Sequence, residues 1–382
     1  MKDLINQLKP ELNDVFEHLH QIPEVGWQEH NTTAYIADYL YKKGFRVRTF
    51  PDCTGLFVEV GKGDLCIAVR TDIDALWQEV DGEFKANHSC GHDAHMTMII
   101  GTMLLMKKLG FPSGIRFKFI FQPAEEKGSG ALKLIDLGIM DDVNFLYGVH
   151  LRPIQEMADG FASPAIYHGA SRFIEGRIIG EDAHGARPHL GHNAIEIGAK
   201  LIQEIQGIHL DPMVPYSAKL TKFLAGGSSG NIIPGKAAFS IDVRAQNNQT
   251  IEALYSRIEA IADSLSSLHD VKIPLEIMGN TAAARVGAAA KESMKSAIID
   301  TIGKEKLIDP IVTSGGEDFH FYTLKGPGIQ AAMLGLGCGL TPGLHHPQMI
   351  FNREAMYTGI EILTKTVINT AKAHQVNAKK TR

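Results

Sequence analysis

The stretch Ile115-Arg116-Phe117-Lys118-Phe119-Ile120-Phe121-Gln122-Pro123-Ala124-Glu125-Glu126 decides how the chain is read. Its apolar run, 115–121, is too short for a typical helix and is closed by a proline, so it reads as a buried strand that delivers two carboxylates at its carboxyl end. Two similar runs, 65–69 and 145–149, flank it. Between the first two lies 92–109, where Met96, Ile99, Ile100, Met103, Leu104 and Leu105 recur at helical spacing up to the stop signal Gly110. Residues 3–20 and 30–43 also read as helices, the second ending at Lys43-Gly44. After residue 285 a helix over 286–303, a strand over 330–335 and a helix over 353–374 follow. Alternating strand and helix predict an α/β fold with a mostly parallel sheet flanked by helices.

The pattern changes near residue 165. A strand over 173–179, a helix over 193–208, strands over 220–224 and 238–244, a helix carrying Ile251, Leu254, Ile258, Ile261, Leu265 and Leu268, and a strand over 271–277 spell β-α-β-β-α-β. That order is the ferredoxin-like split unit. The expected organisation is a discontinuous catalytic domain, 1–164 and 279–382, interrupted by an inserted α+β lid or dimerisation domain, 165–278.

At 382 residues, two domains are the natural expectation. A hydrophobic fraction of 44%, a charged fraction of 21% and a net charge of −5 fit a globular protein. With no basic block before a short Lys379-Lys380 tail, nothing favours nucleic acid or an anionic membrane. The amphipathic start and the lack of a long apolar run predict a cytoplasmic protein. Cys53, Cys66, Cys90 and Cys338 are scattered and form no disulfide framework. The last eight or so residues are expected to fray.

Residues 87–95, Asn-His-Ser-Cys-Gly-His-Asp-Ala-His, gather one thiol, three imidazoles and a carboxylate. Cys90 and His92 flank a glycine, a spacing that lets both reach one metal ion from a tight turn. Asp72 and Asp74 follow one strand, Glu125 and Glu126 another. His150 ends a third, and His345 lies in the loop after a fourth. Ligands of open parallel sheets bind at the carboxyl ends of strands, so these groups converge on one edge. Glu125 and Glu126 are adjacent and cannot point the same way, so one is free to bind metal while the other faces water. Asp72 could orient a ligand or cap a following helix. His95, one turn along from His92, is a candidate for the shell behind the ligands, and His18 reads as a surface residue.

Here the chain resembles the aminoacylase and carboxypeptidase family of two-metal amidohydrolases, in the branch that includes hippurate hydrolase and the auxin-conjugate hydrolases. The resemblance covers nearly the full length. It rests on Leu19-His20-Gln21-Ile22-Pro23-Glu24, Arg70-Thr71-Asp72-Ile73-Asp74-Ala75-Leu76, Cys90-Gly91-His92-Asp93 and Gln122-Pro123-Ala124-Glu125-Glu126. Further marks are Gly148-Val149-His150, Ala183-His184-Gly185-Ala186-Arg187-Pro188-His189, Gly226-Gly227, Asn231-Ile232-Ile233-Pro234, Gly316-Glu317-Asp318-Phe319 and Leu344-His345-His346-Pro347. It implies two divalent ions, zinc or manganese with cobalt as a further candidate, on Cys90, His92, Glu126, His150 and His345. It implies Glu125 as general base, and His184 as a histidine reaching an active site, typically that of a partner subunit. Asn231 and Arg244 would lie near the substrate carboxylate, with Asp72 behind the ligands. The implied substrate is an N-acyl amino acid and the implied assembly a homodimer through the lid.

The chain departs from the family pattern at Trp77, where a proline is usual, at Arg152 after the metal histidine, at Glu181-Asp182 in place of Lys-Gly, and at Gly235 in place of an acidic residue. Arg152 could favour an acyl group carrying a carboxylate or form a salt bridge within the protein. Two other readings fit the same scaffold: a dipeptidase or aminopeptidase, marked by a preference for a free amino group, and a non-catalytic binder of acyl-amino acids, which would have no need of Glu125.

Overall fold

The computed structural model describes residues 1–380, with side chains as far as Val376. The chain divides into two compact units, one formed by Met1–Tyr167, Arg285–Val312 and Asp318–Arg382, the other by His168–Ala284 and Thr313–Glu317.

In the first unit the main sheet, among the described residues, orders its strands Val47–Thr49, Leu56–Gly61, Arg116–Gln122, Cys66–Asp72, Phe145–Pro153, Gln330–Leu340 and Ala162–Ser163. The four strands from Arg116–Gln122 to Gln330–Leu340 run parallel, in registers such as Ile67↔Phe117 and Met333↔Gly148. The outer pairings are antiparallel. The sheet is therefore mostly parallel at its centre, as the strand–helix rhythm predicts. The two short strands before residue 62 lack such a rhythm and add an antiparallel margin. Every residue of Cys66–Asp72 is buried, because helices cover both faces of a doubly wound sheet. The strand expected over 145–149 continues to Pro153, so His150 lies inside it rather than at its end. A hairpin, Leu76–Val80 with Glu83–Asn87, follows Asp74 where a helix was one possibility, so Asp72 caps no helix.

The helix His92–Leu109 is buried from His92 through Met106, which explains its weak amphipathicity: it is wrapped on all sides. It packs against Lys2–Gln21 and Glu354–Lys380. The latter helix runs on through the stretch expected to fray; Thr381, Arg382 and the side chains of Lys379-Lys380 lie outside the described residues. Among the described residues no helix is long and apolar enough to cross a membrane.

The second unit is a four-stranded antiparallel sheet in the order Tyr216–Ala225, Lys236–Ala245, Ala170–Ile179, Leu275–Thr281. The helices Ala194–Gln206 and Asn248–His269 complete the ferredoxin-like β-α-β-β-α-β order. Ile174, Ile178, Phe239, Ile241 and Val243 form its core with Leu201, Ile205, Leu254 and Ile258 from the helices. The last strand begins at Leu275 rather than Val271. Val271 and Ile273 are buried in the connection before it, which gave that connection the alternation of a strand.

Gly101 sets how closely the central helix approaches its neighbours. A Cβ there would lie 2.3 Å from Ile360 Cδ1 and 3.3 Å from Leu12 Cδ1. Alanine improves helix propensity by about 1 kcal/mol, but overpacking a dense core costs roughly 1–3 kcal/mol. Gly101→Ala should therefore cost a net ~1 kcal/mol of stability, read as a lower urea midpoint at unchanged slope. An unchanged or raised midpoint would show that Ile360 moves aside freely.

Candidate metal centre

Gly91 adopts φ 84°, a left-handed conformation that costs glycine little, and a Cβ on it would press within 2.9 Å of Leu151. The turn it allows presents Cys90 and His92 to the same space. His92 Nδ1 lies 2.9 Å from the Asp74 carbonyl oxygen and donates to it, so Nε2 faces the site, 3.9 Å from Glu126 Oε1. His150 Nδ1 donates to the Leu151 carbonyl at 2.7 Å, and its Nε2 lies 3.6 Å from Cys90 Sγ. In both histidines a backbone carbonyl engages Nδ1, so Nε2 is the atom directed into the site.

Two left-handed residues shape the site. Ala124, at φ 53°, precedes Glu125. The Glu126 N–H donates to Asp74 Oδ2 at 2.9 Å, which anchors the backbone at Glu126, and the Asp318 N–H donates to Glu125 Oε1 at 3.4 Å, which holds the Glu125 carboxylate. His345, at φ 64°, donates its N–H to the Ser89 carbonyl at 2.7 Å and accepts from Gln78 Nε2 at 3.0 Å. Its Nε2 lies 3.5 Å from Glu126 Oε1. The neighbouring His346 accepts instead from the Gln348 N–H, a local turn contact.

Donor atoms of Cys90, His92 and His150 lie within 4.8 Å of one another, and so do those of Cys90, Glu126 and His345. The two triads share the thiol. A third grouping joins His92 to Glu125 and Glu126.

Behind these groups is a buried polar network. Arg70 donates through Nε to Gln122 Oε1 at 2.8 Å, and through its terminal nitrogens to Asp72 at 2.8 Å and Asp318 at 2.7 Å. Gln122 Oε1 also accepts from the Tyr322 hydroxyl, while its amide nitrogen donates to both oxygens of Asp318. His95 accepts from the Leu151 N–H on Nε2, so Nδ1 carries the proton that it donates to Asp72 Oδ1 at 2.9 Å. Both its nitrogens are used, and His95 supports the site rather than offering a ligand atom.

The electrostatics and the unsatisfied atoms indicate what the cluster fits. Burial pushes the Cys90 thiol well above its ordinary range, with Glu126 adding to the shift. Burial likewise raises Glu126 to about 7. Burial, His95 and Arg152 hold His150 well below the usual imidazole range, so it is neutral. Asp72 is held well below the carboxylate range: burial opposes this, but His92, His95 and Arg70 outweigh it. Asp74 Oδ1, His92 Nε2 and Glu126 Oε1 are buried without a hydrogen-bond partner. Acceptor atoms stranded in this way are costly, and a divalent cation would satisfy them together. The sulfur, nitrogen and oxygen donors suit zinc, manganese or cobalt.

The other predicted residues belong to the second unit. His184 pairs across from Ile232, beside Asn231, whose carbonyl accepts from the Gly185 N–H at 2.8 Å; the imidazole is exposed and accepts from the Ala186 N–H. Arg244 forks onto Asp242 of its own strand at 2.9 and 3.0 Å and donates to the Ser314 carbonyl. The departures from the family pattern find local explanations. Arg152 is buried and pairs with Glu156, the salt-bridge alternative. Gly235 donates to Asp182 Oδ1 at 2.7 Å, and a Cβ on it would lie 2.2 Å from the Glu181 backbone, so glycine at 235 and the acidic pair at 181–182 are matched to each other. Trp77 is 63% exposed on the outside of its hairpin, and nothing in the structure explains it.

Sequence reasoning passed over Arg70, Gln122, Asp318, Tyr322 and Gln78 as individual residues. The available signal was Arg70 itself: a lone cation inside an apolar strand needs buried partners.

Residues 68–369 match peptidase family M20/M25/M40. The N-acetyl-L-cysteine deacetylase of Bacillus subtilis is 30% identical over 92% of this chain and 86% of its own. The N-acyl-L-amino acid amidohydrolase of Geobacillus stearothermophilus is 29% identical over 70% of this chain and 76% of its own. A Bacillus subtilis crystal structure described as a dinuclear metal binding peptidase of family M20 shares the fold, with a TM-score of 0.80 at 23% identity over 95% of this chain and 98% of that one. With this match spanning most of its length, the chain belongs to peptidase family M20/M25/M40 and is a hydrolase of C–N amide bonds.

Proposed function

We propose that the chain hydrolyses the amide bond of N-acyl amino acids, with two divalent ions held by Cys90, His92, His150, Glu126 and His345 and with Glu125 as general base. The observation that carries this reading is the pair of donor triads sharing Cys90, with a second carboxylate, Glu125, beside them but in neither. The printed activities of the deacetylase and amidohydrolase relatives support the substrate class.

When bound, such ions acidify water and polarise a carbonyl. The rest falls to the chain's own side chains. Glu125 takes the proton of the attacking water and returns it to the departing nitrogen, base first and acid second. The Asp318 N–H holds Glu125 Oε1 and so limits the rotation of that carboxylate. Asp72 and His95 keep the shell behind His92 and His150 fixed. We assign His184 to the oxyanion of the tetrahedral intermediate, acting from a partner subunit of a homodimer. Asn231 and Arg244 are assigned to the substrate carboxylate. Arg244 would then exchange its fork on Asp242 for the ligand, a geometry that guanidinium repeats readily on any carboxylate.

A panel of acetyl, benzoyl and indoleacetyl amino acids, assayed for free amino acid release, tests the reading. Glu125→Gln should retain fold and metal but lose about two to four orders of magnitude in kcat; wild-type turnover in that variant contradicts the base assignment. Mixing His184→Ala with Glu125→Gln subunits should restore part of the activity through hybrid dimers, whereas no recovery at any ratio contradicts action from the partner subunit. Chelator-stripped protein should lose activity and melt at a lower temperature. Each ion restored at about a hundredfold over its Kd contributes roughly 2.7 kcal/mol, and a melting temperature indifferent to Zn²⁺ and Mn²⁺ contradicts the ligand set.

A further inference from the structure

The mechanism makes no use of the N-terminal motif 19–24 or of the loop that follows it, yet their side chains reach several segments of the first unit. His20 Nδ1 lies 2.6 Å from Asp93 Oδ2, next to His92. Glu24 accepts from the N–H groups of Asn31 and Thr32 and so satisfies the start of the helix His30–Lys42. Val25 bridges to Ala75, and a Cβ on Gly26 would lie 3.0 Å from Ala124 Cα and 3.1 Å from Asp74 Oδ2. The loop therefore lies directly on the turn that carries Glu125 and Glu126.

Glu29 is the member of this loop whose burial calls for a reason. It is fully buried and occupies the N-cap position of the helix His30–Lys42, but its side chain makes no capping bond. Instead Oε1 accepts from the Ala124 N–H at 2.8 Å and Oε2 from the Thr54 hydroxyl at 2.5 Å. A buried carboxylate is costly unless its acceptors are used, and here one is used on the residue just before Glu125.

We propose that Glu29 is a positioning residue for Glu125, holding the left-handed Ala124 peptide so that the Glu125 carboxylate leaves the turn toward the metal cluster. This rests on the reading of Glu125 as the base. Alanine at φ 53° is sterically unfavourable and persists only where its surroundings hold it. The Ala124 carbonyl is held by the Gly130 N–H at 3.2 Å, and the Glu126 N–H is held by Asp74. Glu125 therefore stands between two anchored N–H groups. If the Glu29 contact is lost, Ala124 can relax toward negative φ, which swings the Cα–Cβ bond of Glu125. A displacement of about 1 Å at a catalytic group costs on the order of 10²-fold in rate.

Conservative variants separate positioning from charge. Glu29→Gln keeps the reach and an acceptor oxygen but loses the charge, whereas Glu29→Asp keeps the charge and loses the reach. Positioning predicts that Glu29→Gln stays within about threefold of wild-type kcat. Glu29→Asp should fall by about ten- to a hundredfold, with KM and metal content within twofold. Tyr39→Phe, which removes a distant hydrogen bond to Glu11, controls for loss of stability alone and should leave kcat unchanged. The reverse order, Asp active and Gln impaired, overturns the inference, as does wild-type kcat in both. Glu125→Gln is assayed alongside: if it is inactive while both Glu29 variants are silent, only this inference fails. If Glu125→Gln turns over normally, the base reading fails and this inference with it.

Discussion

The Arg70 guanidinium is the constraint on which the site depends. It is buried at the carboxyl edge of the sheet, and each of its contacts fixes a different segment: Asp72 on its own strand, Gln122 on the next strand, and Asp318 beyond the second unit in sequence. A guanidinium in such a place is tolerable only when its planar fork is filled by acceptors. Gln122 completes the arrangement by accepting from Arg70 and Tyr322 while donating to both oxygens of Asp318. Removing one member would strand the others, so the network specifies the arrangement of the edge as much as it stabilises it.

The charge balance follows. One guanidinium neutralises part of the charge of Asp72 and Asp318, while one oxygen each of Asp74 (Oδ1) and Glu126 (Oε1) is buried without a hydrogen-bond partner. Left alone, that edge drives protons onto Cys90 and Glu126, the direction in which burial moves both groups. Cations are the other way to offset it. The protein thus builds a place that is electrostatically unfinished, which divalent cations would complete.

The legible part of the fold followed from strong periodicity. The helix His92–Leu109 and the strands Arg116–Gln122 and Cys66–Asp72 have one-to-one counterparts in apolar runs. The hairpin at 76–87 and the strands before residue 62 are short and partly exposed, and no sustained run of apolar residues marks them in the sequence. The convergence of Asp72, Asp74, Glu125, Glu126, His150 and His345 could be anticipated because parallel strands deliver their ends to one edge, and that of Cys90 with His92 from their spacing, whereas the five-residue ligand set came from the family resemblance. The supports could not be anticipated. Nothing local to Glu29 or Gln78 says that one reaches Ala124 and the other the His345 carbonyl, since those partners lie 95 and 267 positions away. Asp72 was open between two roles, and its bonds to Arg70 and His95 place it behind the histidines.

Cys90 belongs to both donor triads, so in the proposed centre a single thiol would serve both ions. Calorimetric titration of metal-stripped protein with Zn²⁺ tests it directly. The account predicts two ions per chain in the wild type, selective weakening of one ion in His150→Ala and of the other in His345→Ala, and weakening of both in Cys90→Ala. Two ions bound at wild-type affinity by Cys90→Ala would contradict it.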